Sequence, residues 1–440
     1  MGLFRYFKGI ALLFVSILFS STAMAAGSGS FRVELPDSGA LGKGTAFVGE
    51  ANTPAAVYYN PAGLNQIKNV QVAVGGAILG PQADYKPASG DEVQMRRDSF
   101  FIPHLYAAIP VIADSVTVGI GATSYFGLGT EWAQDSPLRY IATESDIENQ
   151  DYMLTAAYKV TNQWSIAVSA DNDNSKVNLE KKIQQGATSA SDANFQLKGK
   201  DDAWGYRIAT MFKLNEQHQF GLMYRSRFNH IYEGKAYIDG LNNTAQASLG
   251  GFSYQQVFNN QSSYETRVTE KTTLPQSVVL GYSFKPTNKW TFNFDLEWMD
   301  WSSVKHQAVN FVDETNTNIL GVLNNGNPAS RDWKSAFSEA VGAEYAATDR
   351  LRLRTGYYHH ASPIGQDGWD PSLPDANSHG ITAGFGYDIT KNLIIDVAYS
   401  ALFYESRKIS NTNGSLVSTT DNGKYSQFVN IGLATLIYKF

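Results

Sequence analysis

The sequence predicts an all-β chain: a fourteen-stranded antiparallel transmembrane β-barrel with an N-terminal plug, or hatch, inside the lumen. Three observations carry that expectation. Apolar and polar residues alternate with period two along most of the chain. The connections between the alternating segments are short and long by turns. A small-residue-rich stretch near the N-terminus follows neither pattern. The alternation is plainest where Trp290, Phe292, Phe294, Leu296 and Trp298 share one face and Thr291, Asn293, Asp295 and Glu297 the other. A strand with lipid on one side and a polar lumen on the other needs that period.

Composition sets the outer bounds. Of 440 residues 17% are charged and 13% aromatic, with 38 Gly, a balance that suits aromatic girdles and close backbone approaches. Past the leader there is no apolar run of about 18 residues, which excludes a helical membrane protein. Net charge is -6 with both signs intermixed, so no nucleic-acid partner is expected. The absence of cysteine excludes disulfides, thiol catalysis, thiolate metal sites and a lipidated N-terminus.

In chain order, residues 1–25 form an export signal. Arg5 and Lys8 supply the positive start, Ile10 to Phe19 a short apolar core, and Ala23-Met24-Ala25 the cleavage pattern. Residues 26–68 form the plug, where Gly39, Ala40, Gly42, Gly44, Ala46 and Gly49 let backbone pass close to a wall. Its fixed point is the turn Asn60-Pro61-Ala62, in which Pro61 locks its own φ and leaves the Asn60 amide free to bond backbone.

Residues 69–440 form the barrel. The expected strands are Val70–Leu79, Ser99–Ile112, Ser115–Phe126, Asp151–Val160, Trp164–Asp171, Ala203–Leu214 and His218–Tyr232. They continue with Leu274–Phe284, Lys289–Trp301, Ser335–Ala346, Arg350–His360, His379–Asp388, Asn392–Tyr404 and Ser426–Phe440. Short turns such as Ala113-Asp114 and Thr161-Asn162-Gln163 alternate with long polar loops at Asn172–Asp202, Glu233–Thr273, Ser302–Lys334 and Ala361–Ser378. That parity is the layout of an outer-membrane barrel with both termini in the periplasm. Arg352 and Arg354 alternate with Leu351 and Leu353, and are expected to face the lumen and meet Asp295 or Glu297.

Several short motifs fall in order along this frame: Phe31, Ser38-Gly39, Gly49-Glu50-Ala51, Asn60-Pro61-Ala62, Ala108-Ile109-Pro110, Phe126-Gly127-Leu128-Gly129, Trp301-Ser302, and Ser362-Pro363 with Leu373-Pro374-Asp375. In these the chain resembles the FadL-type outer-membrane transporters of long-chain fatty acids and other hydrophobic compounds (OmpP1/FadL/TodX). The resemblance implies capture of ligand on extracellular loops, a pocket beside the plug, and exit sideways into the bilayer through a gap at a kink in the third strand. Gly119 and Gly121 lie in the matching strand, and with Asn60, Pro61 and Ala62 they are the expected gating residues.

The same resemblance places Phe31 against ligand, with Val33 and Leu35 lining the pocket, and aligns Lys181 with a basic residue that meets a ligand carboxylate. At the family's second basic position this chain has Ala329, with Arg331 or Lys334 nearby as substitutes, which leaves fatty acid and uncharged aromatic hydrocarbon both open as cargo. From the residues themselves, Leu249, Phe252, Val257 and Phe258 form an apolar cluster in a long polar loop and are expected to make the capture groove. No catalytic residue, cofactor or metal is expected. An acyl hydrolase would need a nucleophile and base, and there is no Gly-x-Ser-x-Gly and no serine partner for His359, His360 or His379. A diffusion porin would need an open bore. Expected partners are a long-chain fatty acid or other hydrophobic small molecule, outer-membrane lipid and lipopolysaccharide, and the barrel-assembly machinery during insertion; the protein is expected to be a monomer.

Overall fold

The computed structural model describes residues 30–33, 36–186, 189–410 and 421–440. The export signal and Leu35 lie outside them. Fourteen strands close into one barrel: β1 Gln71–Pro87, β2 Phe100–Ile112, β3 in two halves Val116–Thr123 and Gly127–Glu131, β4 Glu144–Lys159, β5 Trp164–Ile183 and β6 Ala193–Lys213. Then come β7 in halves His218–Arg225 and Phe228–Asp239, β8 in halves Ser263–Leu274 and Ser277–Phe284, and β9 Trp290–Met299. The last five are β10 Ala336–Ala346, β11 Leu351–His360, β12 Ser378–Asp388, β13 Leu393–Tyr404 and β14 Gly423–Lys439. Every neighbour is antiparallel, and β14 returns to β1 from Gln71↔Lys439 to Pro87↔Gly423, so the sheet closes on itself. The described residues contain no helix long and apolar enough to cross a membrane.

The loop parity is as expected, but the strands are longer. Residues read as loop at Asn172–Asp202 continue the β5–β6 ladder from Trp164↔Phe212 up to Ile183↔Ala193. The stretch Glu233–Thr273 likewise carries β7–β8 pairs up to Asp239↔Ser263. The reason is visible on β5, whose outward residues Trp164, Ile166 and Val168 give way to Asn172, Asn174 and Lys176. Above the hydrocarbon the outward face turns polar, and the inward Asp171, Asp173 and Ser175 are polar as well though buried, so the apolar alternation stops while backbone pairing goes on. The expected seventh strand His218–Tyr232 is broken near Ser226, and its pairing with β6 shifts by one residue between Arg207↔Arg225 and Lys200↔Glu233.

Inside the barrel, residues 36–51 and 54–64 are buried throughout. Only short turns form there: a helix Ser38–Leu41 capped by the Asp37 carboxylate, a helix Ala56–Tyr59, and a 3-10 turn Pro61–Gln66 capped by Asn60. The backbone of residues 43–49 lies against the wall where strands carry glycine. A Cβ on Gly221, Gly281, Gly342 or Gly356 would sit 2.2 Å from Val48 O, 2.3 Å from Gly49 N, 2.1 Å from Lys43 O and 2.2 Å from Gly44 N respectively. On β9 the Asp295 carboxylate accepts the amides of Phe47 and Val48, both at 2.8 Å. Four glycines and one carboxylate thus form a shelf that fits backbone and nothing larger.

Candidate transport site

The third strand is interrupted at Ser124–Phe126. Below the break, β3 pairs with β2 from Leu105↔Ala122 to Ile112↔Val116. Above it, Gly127–Glu131 pairs with β4 alone. Residues 100–104 of β2 therefore have no strand partner on that side among the described residues. The freed backbone groups are met from inside the barrel, because buried amides need partners. The Tyr125 amide donates to Asp151 Oδ2 at 2.9 Å. The Tyr125 carbonyl accepts the Val33 amide at 2.7 Å, and the Gly127 amide donates to the Phe31 carbonyl at 2.8 Å. The N-terminal segment thereby forms a single antiparallel bridge, Arg32↔Phe126, with the broken strand.

Gly119 and Gly121 do not mark the bend. Both are regularly paired, Gly119 with Ala108 and Thr155, Gly121 with Tyr106 and Met153. Their missing side chains make room for the plug: a Cβ at Gly119 would lie 2.6 Å from Val57 and 2.7 Å from Leu64, and one at Gly121 2.9 Å from Val57. The kink falls further along, where Asp151 and the N-terminal segment offer other bonds.

Phe31 stands at the centre of an aromatic group, its ring centroid 5.0 Å from Trp301 and 5.8 Å from both Phe126 and Trp333. These are edge-on and tilted contacts of the kind that hold aromatic clusters together. Val33 does not line the same group. It is buried in a separate cluster, which also holds Phe100 and Ile102 of the stretch of β2 that lacks a partner. Around the break the charges are matched: Arg32 pairs with Glu297, and Arg225 with Asp151 at 2.5 Å while its guanidinium covers the Tyr125 ring at 3.4 Å. The cleft among Arg32, Val48, Tyr58, Tyr59, Tyr125 and Met223 has a volume of about 40 Å³. That is enough for a few waters, each needing roughly 10–15 Å³, and too little for an acyl chain.

Asn60 does what its position predicted. Its Nδ2 donates to the Val48 and Thr210 carbonyls at 3.0 and 3.2 Å, and its Oδ1 accepts the Ala62 amide at 3.1 Å. The Ala62 carbonyl accepts Ser165 Oγ at 3.0 Å. Arg207 adds a second tie, donating to the Val57 and Tyr58 carbonyls at 3.0 and 2.7 Å while paired with Asp171 at 2.6 Å. Arg352 and Arg354 are paired on the wall, but not with the acids expected. Arg352 meets Asp388 at 2.6 Å, and Arg354 meets Glu344 at 2.7 Å and Asp396 at 2.5 Å, all on adjacent strands or the next one. Asp295 and Glu297 are taken by the plug side.

The basic candidates separate. Arg331 pairs with Asp370 and also donates to Gln307 Oε1 at 2.6 Å. Burial lowers the Lys181 pKa from its ordinary value, with Asp370 opposing the shift, and its Nζ lies 5.6 Å from the Phe195 ring centre. Lys334 is exposed, while its neighbour Trp333 is buried. Of the loop residues, Phe258 is fully buried in a cluster with Ile238, Leu241, Ile319 and Leu323, against which Val257 packs. Phe258 is therefore loop core and not an open groove, because the loop helix Thr317–Leu323 covers it. Leu249 is half-buried, and Phe252 is 61% exposed.

Residues 16–440 match the family described as outer membrane protein transport protein (OMPP1/FadL/TodX). The chain belongs to that family. Its members are outer-membrane transporters of hydrophobic compounds, and this chain is an outer-membrane barrel of the Gram-negative type. The long-chain fatty acid transport protein of Escherichia coli K12 is 23% identical over 446 residues, covering 92% of this chain and 94% of that one. A solved FadL homologue from Pseudomonas aeruginosa superposes with TM-score 0.79 at 17% identity, covering 94% of this chain and 100% of that one. The Pseudomonas putida toluene transporter TodX superposes with TM-score 0.70 at 17% identity, covering 94% of this chain and 99% of that one. In the sequence Trp301 stands out only as part of a short motif, and neither Asp151 nor the glycine shelf carries a local signal. Asp151 and Arg225 are 74 positions apart, so their pairing carries none either.

Proposed function

We propose that the protein takes up long-chain fatty acids or similar hydrophobic compounds passively, catching them on the extracellular loops, gating with the N-terminal plug and releasing them sideways into the membrane. The observation that carries this reading is a relay of apolar clusters. The loop cluster around Phe258 and Ile319 shares Phe195 and Phe311 with a cluster in the upper barrel, Val177, Leu197, Tyr232 and Val268. That second cluster shares Ile147 with the one containing Phe31, Val57 and Leu64. An acyl chain loses about 0.8 kcal/mol for each CH₂ returned to water, so steps from one apolar cluster to the next are nearly level while a wet passage is steeply uphill.

The lower lumen supports a sideways exit. Below the plug lies a cavity of about 200 Å³, lined by Asp37, Lys43, Glu50, Arg352, Arg354 and Asp396 among others. Charged walls at that point oppose an oily cargo moving straight down. The interrupted strand offers the alternative, and residues 26–68 would act as one movable plug whose Phe31–Val33 segment lets go of Tyr125–Gly127 when cargo displaces Phe31.

A carboxylate head group would be met by Lys181 and Arg331 in exchange for Asp370. A second reading has support in the same geometry: Arg331 is already neutralised by Asp370, which suits an uncharged hydrocarbon like that named for TodX. Binding of laurate and of dodecanol to the wild type and to the double variant Lys181→Ala/Arg331→Ala separates the two. Loss of about tenfold for laurate alone supports the anionic cargo. Equal changes for both ligands remove the head-group role and favour uncharged cargo.

A further inference from the structure

Three lysines stand side by side on the outer surface of the barrel at its extracellular end, across the seam that closes it. Lys86 on β1 is in register with Lys424 on β14, and Lys424 is in register with Lys408 on the short strand Arg407–Ile409. Their sequence neighbours Tyr85, Tyr425 and Ile409 face inward and are buried, so alternation directs the three lysines outward, where all are exposed. Directly opposed residues in an antiparallel sheet have Cβ atoms about 5 Å apart, and like charges in such pairs destabilise the sheet. Among the described residues no carboxylate lies within 4.0 Å of any of the three ammonium groups. The chain between Ile409 and Asp421 has no acidic residue to offer.

The height of the row identifies what neutralises it. On β14 the outward residues run Tyr438, Leu436, Ala434, Gly432, Asn430, Phe428, Ser426, Lys424. Phe428 packs on Phe403 of β13 with ring centroids 5.0 Å apart, an aromatic pair at the outer edge of the apolar belt. Lys424 is four residues beyond, about 13 Å along a tilted strand, and so above the hydrocarbon at the level of lipid head groups. On β1 the outward row repeats this order, from the exposed Val74 and Ile78 to Gln82, Asp84 and Lys86.

We propose that Lys86, Lys424 and Lys408 form a binding site for the phosphate groups of a phosphorylated glycolipid of the outer leaflet. Lysine is a point charge with three donors on a flexible stem, suited to phosphates whose position varies. A lipid anchored beside the seam holds its phosphate at this height, whereas a free phosphate has no anchor. The full-length protein in mild detergent, analysed by native mass spectrometry, tests this with lipopolysaccharide, its dephosphorylated form and inorganic phosphate as probes. Wild type is expected to retain phosphorylated glycolipid about tenfold better than Lys86→Gln/Lys408→Gln/Lys424→Gln. The triple Arg variant, which keeps the charge, is expected to bind like wild type and shows that the barrel survives substitution at these sites. Equal retention by the Gln variant, or equal retention of the dephosphorylated lipid by wild type, overturns the proposal. Displacement of the lipid by millimolar inorganic phosphate overturns it too, since the site would then belong to a free anion.

Discussion

Asn60 and Asp146 mark two ways in which a single side chain is used here. Asn60 spends every hydrogen-bonding group of its amide oxygen and one nitrogen on backbone, and so ties the plug both to itself and to β6. Asp146 is held in the wrong charge state for water. On β4 the outward apolar row ends at Tyr152, and Gln150, Glu148, Asp146 and Glu144 follow above the membrane. Burial, then the carboxylates of Glu148 and Glu144, push the Asp146 pKa up from 3.8 to about 7. Between those two values the folded protein holds a proton that the unfolded chain has lost, so stability falls as pH rises through that window. Asp146→Asn removes the effect. Its melting temperature is expected to match wild type near pH 4 and to exceed it at pH 8; a gap that is the same at both pH values would show that Asp146 is not the group responsible.

At the scale of elements, pairing is decided by what else the backbone can bond. The β3 break persists because Asp151, Val33 and Phe31 supply the partners that β2 does not. The glycines of β3 answer to volume instead. Filling Gly119 puts a Cβ 2.6 Å from Val57, and overpacking of this kind costs about 1–3 kcal/mol, which falls on the plug because the wall is held by two strand partners. Gly119→Ala is expected to loosen the plug and raise single-channel conductance in planar bilayers. Gly432, beside which nothing lies within 4 Å, is the control: Gly432→Ala is expected to leave conductance unchanged. Conductance equal in the two variants would mean that the fit of Val57 against β3 does not seal the lumen.

At the scale of the molecule, the barrel stands on its own ladders and the plug on the barrel. The continuous β1–β14 seam and the unbroken circuit of antiparallel pairs do not pass through residues 36–67. Deleting residues 27–64 is therefore expected to leave a folded, heat-modifiable barrel with a large, ion-conducting lumen and no selective uptake of hydrophobic cargo. Swelling of proteoliposomes in small sugars measures the first property and radiolabelled oleate uptake the second. A deletion variant that stays sealed would show that wall side chains, and not the plug, close the bore.

The sequence alone determined the strand count, the loop parity and the Asn60 anchor, because lipid on one face and polar groups on the other force a period-two pattern and Pro61 forces a turn. It stopped being legible where that contrast ends: in the upper halves of β5 to β8, where the outward face is no longer apolar, the strands read as loops. Only the tertiary structure decided that Arg331 pairs with Asp370, that Phe258 is loop core, and that β3 breaks at Ser124–Phe126 and not at its glycines. Those features depend on which distant groups meet across the lumen, and a periodic pattern records which way each residue faces without recording what it will find there.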